Sequence, residues 1–237
     1  MGTEVVEGLD RRARNLGISW QNLVRAFFFR AEEIVQAHDS ALLVETHRQP
    51  DDEREPCVAQ MSVDVPIALA LGDARTCEPA DWAVGFDRNH RDALRHLPAD
   101  PTRIGGLATA YGATLRPYPH RLPRYEIEFR NRSRTADQPD TTGMGLVIER
   151  DTEGIGFILT EDSSRCGPGS LELLSTCLIG ALEATLGITG SPAVRVLEES
   201  ERLRGMVGRW PYLELRDGAL ATYSPSRPTP VTPNVRG

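Results

Sequence analysis

The residues of this chain that come nearest to chemistry form one short segment, Arg165-Cys166-Gly167-Pro168-Gly169-Ser170. Two glycines at alternate positions let a ligand approach the backbone closely, and the segment opens a long apolar stretch with helical spacing. Its free amides would therefore lie at a helix N-terminus, where they favour an anion. Arg165 would add a two-point contact to a phosphate, with Gly167, Gly169 and Ser170 completing the cradle. A helix terminus also lowers the pKa of a thiol such as Cys166. A nucleophile needs a base, however, and no spacing ties Cys166 to His38, His47, His90, His96 or His120.

A second set is basic and aromatic: Arg116, Arg121, Arg124, Arg130, Arg132 and Arg134, interleaved with Tyr118, His120, Tyr125 and Phe129. Guanidinium groups for phosphates and rings for stacking suit single-stranded RNA. Against this stand Glu126 and Glu128 on the arginine face, and a formal net charge of -7. A third set is Phe27, Phe28 and Phe29, which cannot all face one core and so offer a ring to a protein partner. Asp87, His90 and His96 are spaced too widely to share a metal on one helix face. Cys57, Cys77, Cys166 and Cys177 lack metal-ligand or disulfide-framework spacing, and Cys177, inside the apolar stretch, is expected to be buried. No catalytic constellation, metal or cofactor is indicated.

The elements that must hold these residues read as α+β. Ser19 caps a helix over 19–38 whose apolar residues include Trp20, Leu23, Val24, Phe27, Ile34 and Val35. Ala41–His47 and Cys57–Val63 read as strands, and Pro66 marks Val65–Leu71 as an edge strand or bend. Residues 72–88 read as irregular, with Trp82 and Phe86 as anchors, followed by a short helix over Asn89–Leu97. Tyr125, Ile127 and Phe129 alternate with charged residues and begin a three-strand meander. Its last two strands, Gly145–Glu149 and Ile155–Thr160, flank a turn at Asp151–Gly154, with Gly154 free to take a positive φ. Leu171, Leu174, Leu178, Leu182 and Leu186 then mark a helix over 170–186, apolar nearly all round. Ala193–Leu197 reads as a returning strand, Glu198–Arg204 as a helix and Trp210–Arg216 as the last strand. The expected architecture is one or two antiparallel sheets covered by the helices over 19–38 and 170–186. Two α+β halves, 1–100 and 101–218, would be followed by a disordered Pro-rich tail over 219–237.

The hairpin GLVIERDTEGIGF together with the Arg165–Ser170 loop resembles the second and third strands and the pyrophosphate loop of GNAT-type acyltransferases. The loop, RCGPG, is one residue shorter than that family's pattern. The resemblance implies an acyltransferase that binds the pyrophosphate of CoA through Arg165, Gly167, Gly169 and Ser170.

Composition supplies the remaining bounds. The chain has 237 residues, 40% of them hydrophobic, enough for a substantial core. All 27 basic residues are arginine. Lysine-free composition fits either a GC-rich coding sequence or avoidance of lysine modification, and it excludes Schiff-base chemistry. The N-terminus lacks the apolar run of a signal peptide, and no stretch has the length and apolarity of a membrane span, so the cytoplasm is expected. The leading expectation is a non-enzymatic binding, adaptor or regulatory protein that works through a protein partner, a homo-oligomer or a small ligand. The acyltransferase reading is the alternative, and RNA binding is third.

Overall fold

The computed structural model describes residues 1–37, 40–48, 62–70, 74, 76–95, 124–131, 144–151, 153–160, 169–208 and 212–223. The α+β class expected from the sequence is observed. Five helices are described: α1 (Thr3–Leu16), α2 (Trp20–Gln36), α3 (Pro79–Arg95), α4 (Ser170–Thr185) and α5 (Pro192–Val207). The strands are β1 (Ser40–Arg48), β2 (Ser62–Ala70), β3 (Arg124–Asn131), β4 (Met144–Arg150), β5 (Ile155–Thr160), β6 (Tyr212–Arg216) and β7 (Ala219–Tyr223). Among these helices none is long and apolar enough to cross a membrane.

Five strands form one sheet in the order β2-β1-β3-β4-β5, and β6 and β7 form a separate hairpin. The larger sheet is mixed. The β1–β2 and β4–β5 pairs are antiparallel, whereas β1–β3 and β3–β4 are parallel, with Tyr125 opposite Met144 and Asn131 opposite Arg150. The step from β3 to β4 is therefore a crossover and not a turn of a meander. The polar run after Asn131 is long enough for the dozen or more residues that a parallel connection requires. Pro66 lies in β2, a terminal strand of the sheet order, the position in which a sheet tolerates proline.

The hub of the core is α2. Ser19 caps it by accepting a hydrogen bond from the Asn22 amide at 3.1 Å. From Ala26 to Gln36 every residue is buried, so this helix packs on all sides. Phe28 meets Phe29 edge to face, Phe29 stacks on Phe86 of α3, and the Trp82 indole donates to the Ala26 carbonyl at 2.7 Å. Trp82 and Phe86 are thus the anchors the sequence indicated, but they stand on a helix that begins ten residues earlier than Asn89. Trp82, Ala83, Phe86 and His90 form its buried face.

Three further expectations are corrected. Residues 193–197 are helical. Ser191 accepts from the Val194 amide at 3.1 Å and Pro192 occupies the first turn, so α5 starts there and runs unbroken through the charged stretch. Residues 219–223 belong to β7 and not to the tail. Asp217 and Gly218 both have positive φ (52° and 77°), the geometry of a tight two-residue hairpin turn, and they fold β7 back on β6. Gly154 does not take positive φ. It is required instead because a Cβ there would strike the Met1 carbonyl, which accepts from the Ile155 amide at 2.9 Å.

Residues 57–61, 103–123 and 224–237 lie outside the described residues, and so do the expectations placed on them. The strand expected over Cys57–Val63 is observed only from Ser62.

Candidate functional site

Parallel strands β1, β3 and β4 point their C-terminal ends the same way, and the N-terminus of α2 lies beside those of β3 and β4. A continuous chain of polar and aromatic groups is assembled there. Asp10 of α1 accepts two hydrogen bonds from Arg150, the last residue of β4, at 2.9 and 2.6 Å. The Arg150 guanidinium covers the Trp20 ring at 4.6 Å, and Trp20 meets Phe129 of β3 edge to face at 5.2 Å. On the far side Arg25 covers Phe129 at 4.7 Å and donates to the Asn22 side-chain oxygen at 2.7 Å. Asn22 in turn donates to Asp87 at 2.7 Å, and Asp87 also pairs with Arg91.

This arrangement orders three layers against one another. The guanidinium groups lie over rings and carry their charge partly out of water, where a cation–π contact is worth about 0.5–2 kcal/mol. Asp10 compensates the Arg150 charge at one end, and Asp87 pairs with Arg91 at the other. Asn22 and Asp87 are 65 positions apart, so no local spacing could have joined them. His90 lies 3.5 Å from the Asn22 amide, stacks on Phe86 and is 3% exposed. Its place is in the α2–α3 seam. Among the described residues no three metal-ligating side chains gather, and His96 lies outside them.

The sequence-derived candidates divide sharply. Phe27, Phe28 and Phe29 are all fully inside the core, so none of the three presents a ring to a partner. Gly169 and Ser170 lie in the seam between α4 and β6. The Leu215 amide donates to the Gly169 carbonyl at 3.1 Å, and the Ser170 hydroxyl donates to the Leu213 carbonyl at 3.2 Å. At 1% exposure Ser170 serves packing, and its hydroxyl is already committed. Arg165 and Gly167 lie outside the described residues, as do Arg116, Arg121, Arg132 and Arg134. Arg124 and Arg130 stand at either end of β3, opposite Leu42 of β1 and Glu149 of β4. Cys177 is buried as expected. Burial pushes its thiol up to about 12, so it is neither a thiolate nor a nucleophile near neutral pH.

No known family and no curated protein matches the chain. Solved structures do. The condensation domain of the Monacolin K polyketide synthase MokA aligns with a TM-score of 0.55 at 12% identity, covering 78% of this chain and 45% of that one. The first condensation domain of the calcium-dependent antibiotic synthetase, solved with a substrate analogue, aligns at 0.55 and 17% identity, over 84% of this chain and 46% of that one. The PapA2 acyl transferase aligns at 0.52 and 14% identity, over 84% and 43%. At these identities the likeness establishes the fold alone. The chain spans less than half the length of the structures it resembles. The fold is one found in condensation and acyl-transfer enzymes, and this overturns the expectation of a non-enzymatic adaptor or regulatory protein. Of the readings taken from the sequence, the acyltransferase alternative lies nearer.

Proposed function

We propose that this chain is part of an acyl-transfer enzyme, moving an acyl group from a thioester to an amine or hydroxyl acceptor. The observation that carries the reading is the mixed five-stranded sheet with its buried α2, which superposes on two condensation domains and an acyl transferase over about four-fifths of this chain. Since the chain covers less than half of those structures, a further polypeptide segment completes the unit in this reading, and a protein partner is its natural source. Free thiols at Cys77 and Cys177 support a cytoplasmic setting.

The acyl donor has one candidate contact in the sequence. Arg165 precedes the start of α4 by five residues, and its fork suits the phosphates of a CoA thioester. Gly167 is the companion that would permit close backbone approach. The test is thermal unfolding with and without millimolar CoA. The wild-type protein is expected to melt several degrees higher with CoA, since a ligand at 100 times its Kd stabilises by about 2.7 kcal/mol. Arg165→Ala is expected to lose most of that shift while melting normally without ligand. An unchanged melting temperature in CoA, or an equal shift in Arg165→Ala, contradicts the assignment.

A further inference from the structure

We propose that the outer edge of β5 is a self-association surface, on which a second copy of this chain pairs antiparallel about a two-fold axis at Ile158. The sheet ends in β2 on one side and β5 on the other, and the two edges are built differently. β2 carries Asp64 and Pro66, the charge and missing donor by which natural sheets blunt an edge. β5, IGFILT, has neither a charge nor a proline.

Among the described residues, the outer edge of β5 is paired at its beginning. The Ile155 amide donates to the Met1 carbonyl, the Met1 ammonium donates to the Ile155 carbonyl at 3.0 Å, and Gly2 bridges Gly154. Among the described residues nothing continues that pairing along Phe157, Ile158 and Leu159. Phe157 and Leu159 turn inward to the helices, and Ile158 turns the other way. It is 43% exposed, one of three large hydrophobic residues that stand exposed among the described residues, with Ile188 and Met206.

Two observations select a second copy as the occupant. A chain of net charge -7 repels its own image through a charged edge, but an uncharged strand removes that obstacle where the two backbones meet. The chain also covers only 43–46% of the domains it resembles, so two copies approximate the length of one. Centring the pair on Ile158 places that residue opposite itself and Phe157 opposite Leu159, an isologous contact that stops short of Met1. The proposal rests on the strand and on the share of those domains that the chain covers, and it does not require acyl transfer.

The experiment is native mass spectrometry and sedimentation of the full chain over a concentration series reaching about 100 µM. A dimer is expected. Ile158→Arg, which sets like charges directly opposite, is expected to weaken it about tenfold or more. Ile158→Cys is expected to give a disulfide-linked dimer on oxidation, because opposed Cα atoms in an antiparallel pair lie about 4.5–5.5 Å apart, within disulfide reach. Circular dichroism and a melt matching the wild type show that Ile158→Arg still folds. A wild-type protein that stays monomeric throughout overturns the proposal. So does a dimer that survives Ile158→Arg, or one that Ile158→Cys fails to cross-link.

Discussion

Replacing Arg204 with leucine is expected to lower the free energy of unfolding by about 3–5 kcal/mol, the largest effect of any single side chain described. Arg204 is 1% exposed and lies in α5, yet it donates two hydrogen bonds to the end of α2. Its Nε donates to the Ile34 carbonyl at 2.6 Å, one terminal nitrogen donates to Val35 at 2.7 Å, and the other donates to Gly208 at 2.8 Å. The last carbonyls of a helix have no partner within it, and a cation there also meets the negative end of the helix dipole. The end of α2 is shaped to receive it. Ala37 adopts left-handed φ and ψ of 55° and 35°, which closes the helix and turns the chain away.

Leucine fills the space but leaves two buried acceptors, the Ile34 and Val35 carbonyls, without this donor, each costing about 1–3 kcal/mol with overlap between them. Arg204→Lys keeps the charge, but one ammonium cannot reproduce the planar fork, so a loss of about 2 kcal/mol is expected. Urea unfolding of both variants measures the difference. A loss below about 1 kcal/mol for the leucine variant would show that water or another group supplies the capping. Arg30 makes the companion contact between the same elements, joining the carbonyls of Ala74 and Cys77 to Glu201 of α5.

Gly169→Ala is the second change with a large expected effect, a loss of about 3 kcal/mol. Gly169 has φ of -103°, so the backbone conformation itself is open to alanine. The obstacle is contact, because a Cβ at this position would overlap the carbonyl of Leu215 in β6. Backbone cannot yield as the tip of a side chain does. The hairpin of β6 and β7 would have to move off α4, breaking the hydrogen bonds from the Leu215 amide to Gly169 and from Ser170 to Leu213. Gly187→Ala serves as a contrast. That glycine has φ of 78° with open space around it, so its cost is one of backbone strain alone, about 1–2 kcal/mol. Equal losses for both variants in the same urea titration would argue against the close packing of α4 on β6.

What the sequence disclosed follows from how local each signal is. The caps and stripes of α2 and α4 and the β4–β5 hairpin depend on residues within a few positions of one another, and all were readable. In α5 two local signals competed. Ala193, Val194 and Val196 look like strand, while Ser191-Pro192 is a helix start, and the cap prevailed. The Asp217-Gly218 turn was equally local and marks β7, but the prolines beyond it drew the boundary too early. The parallel pairing of β3 with β4 could not be read, since strand direction is fixed by a crossover and not by either strand's own residues. The cluster at the N-terminus of α2 is the extreme case. Asp10, Trp20, Asn22, Asp87, Phe129 and Arg150 come from five elements, and only the fold brings them together.

The Arg165–Ser170 segment shows the converse. Its composition suits an anion loop, but the fold assigns Gly169 and Ser170 to the α4–β6 seam. A glycine read as conformational freedom for a ligand can equally be the space one element needs to rest on another.

The measurement that most directly tests the account is a mass-resolved transfer reaction. The purified chain is incubated with acetyl-CoA, or a small acetyl thioester, and a panel of amine and alcohol acceptors, with urea-unfolded protein as the control. In the productive reaction the acceptor's lone pair attacks the thioester carbonyl, the carbon–sulfur bond breaks, and the released thiolate takes up the acceptor's proton. Acetylated acceptor and free thiol formed in equal amounts, and only with folded protein, is the predicted result. Thiol release no faster than in the unfolded control, with every acceptor unmodified even when the protein retains the partner it carries in its host, would contradict an acyl-transfer role for this fold.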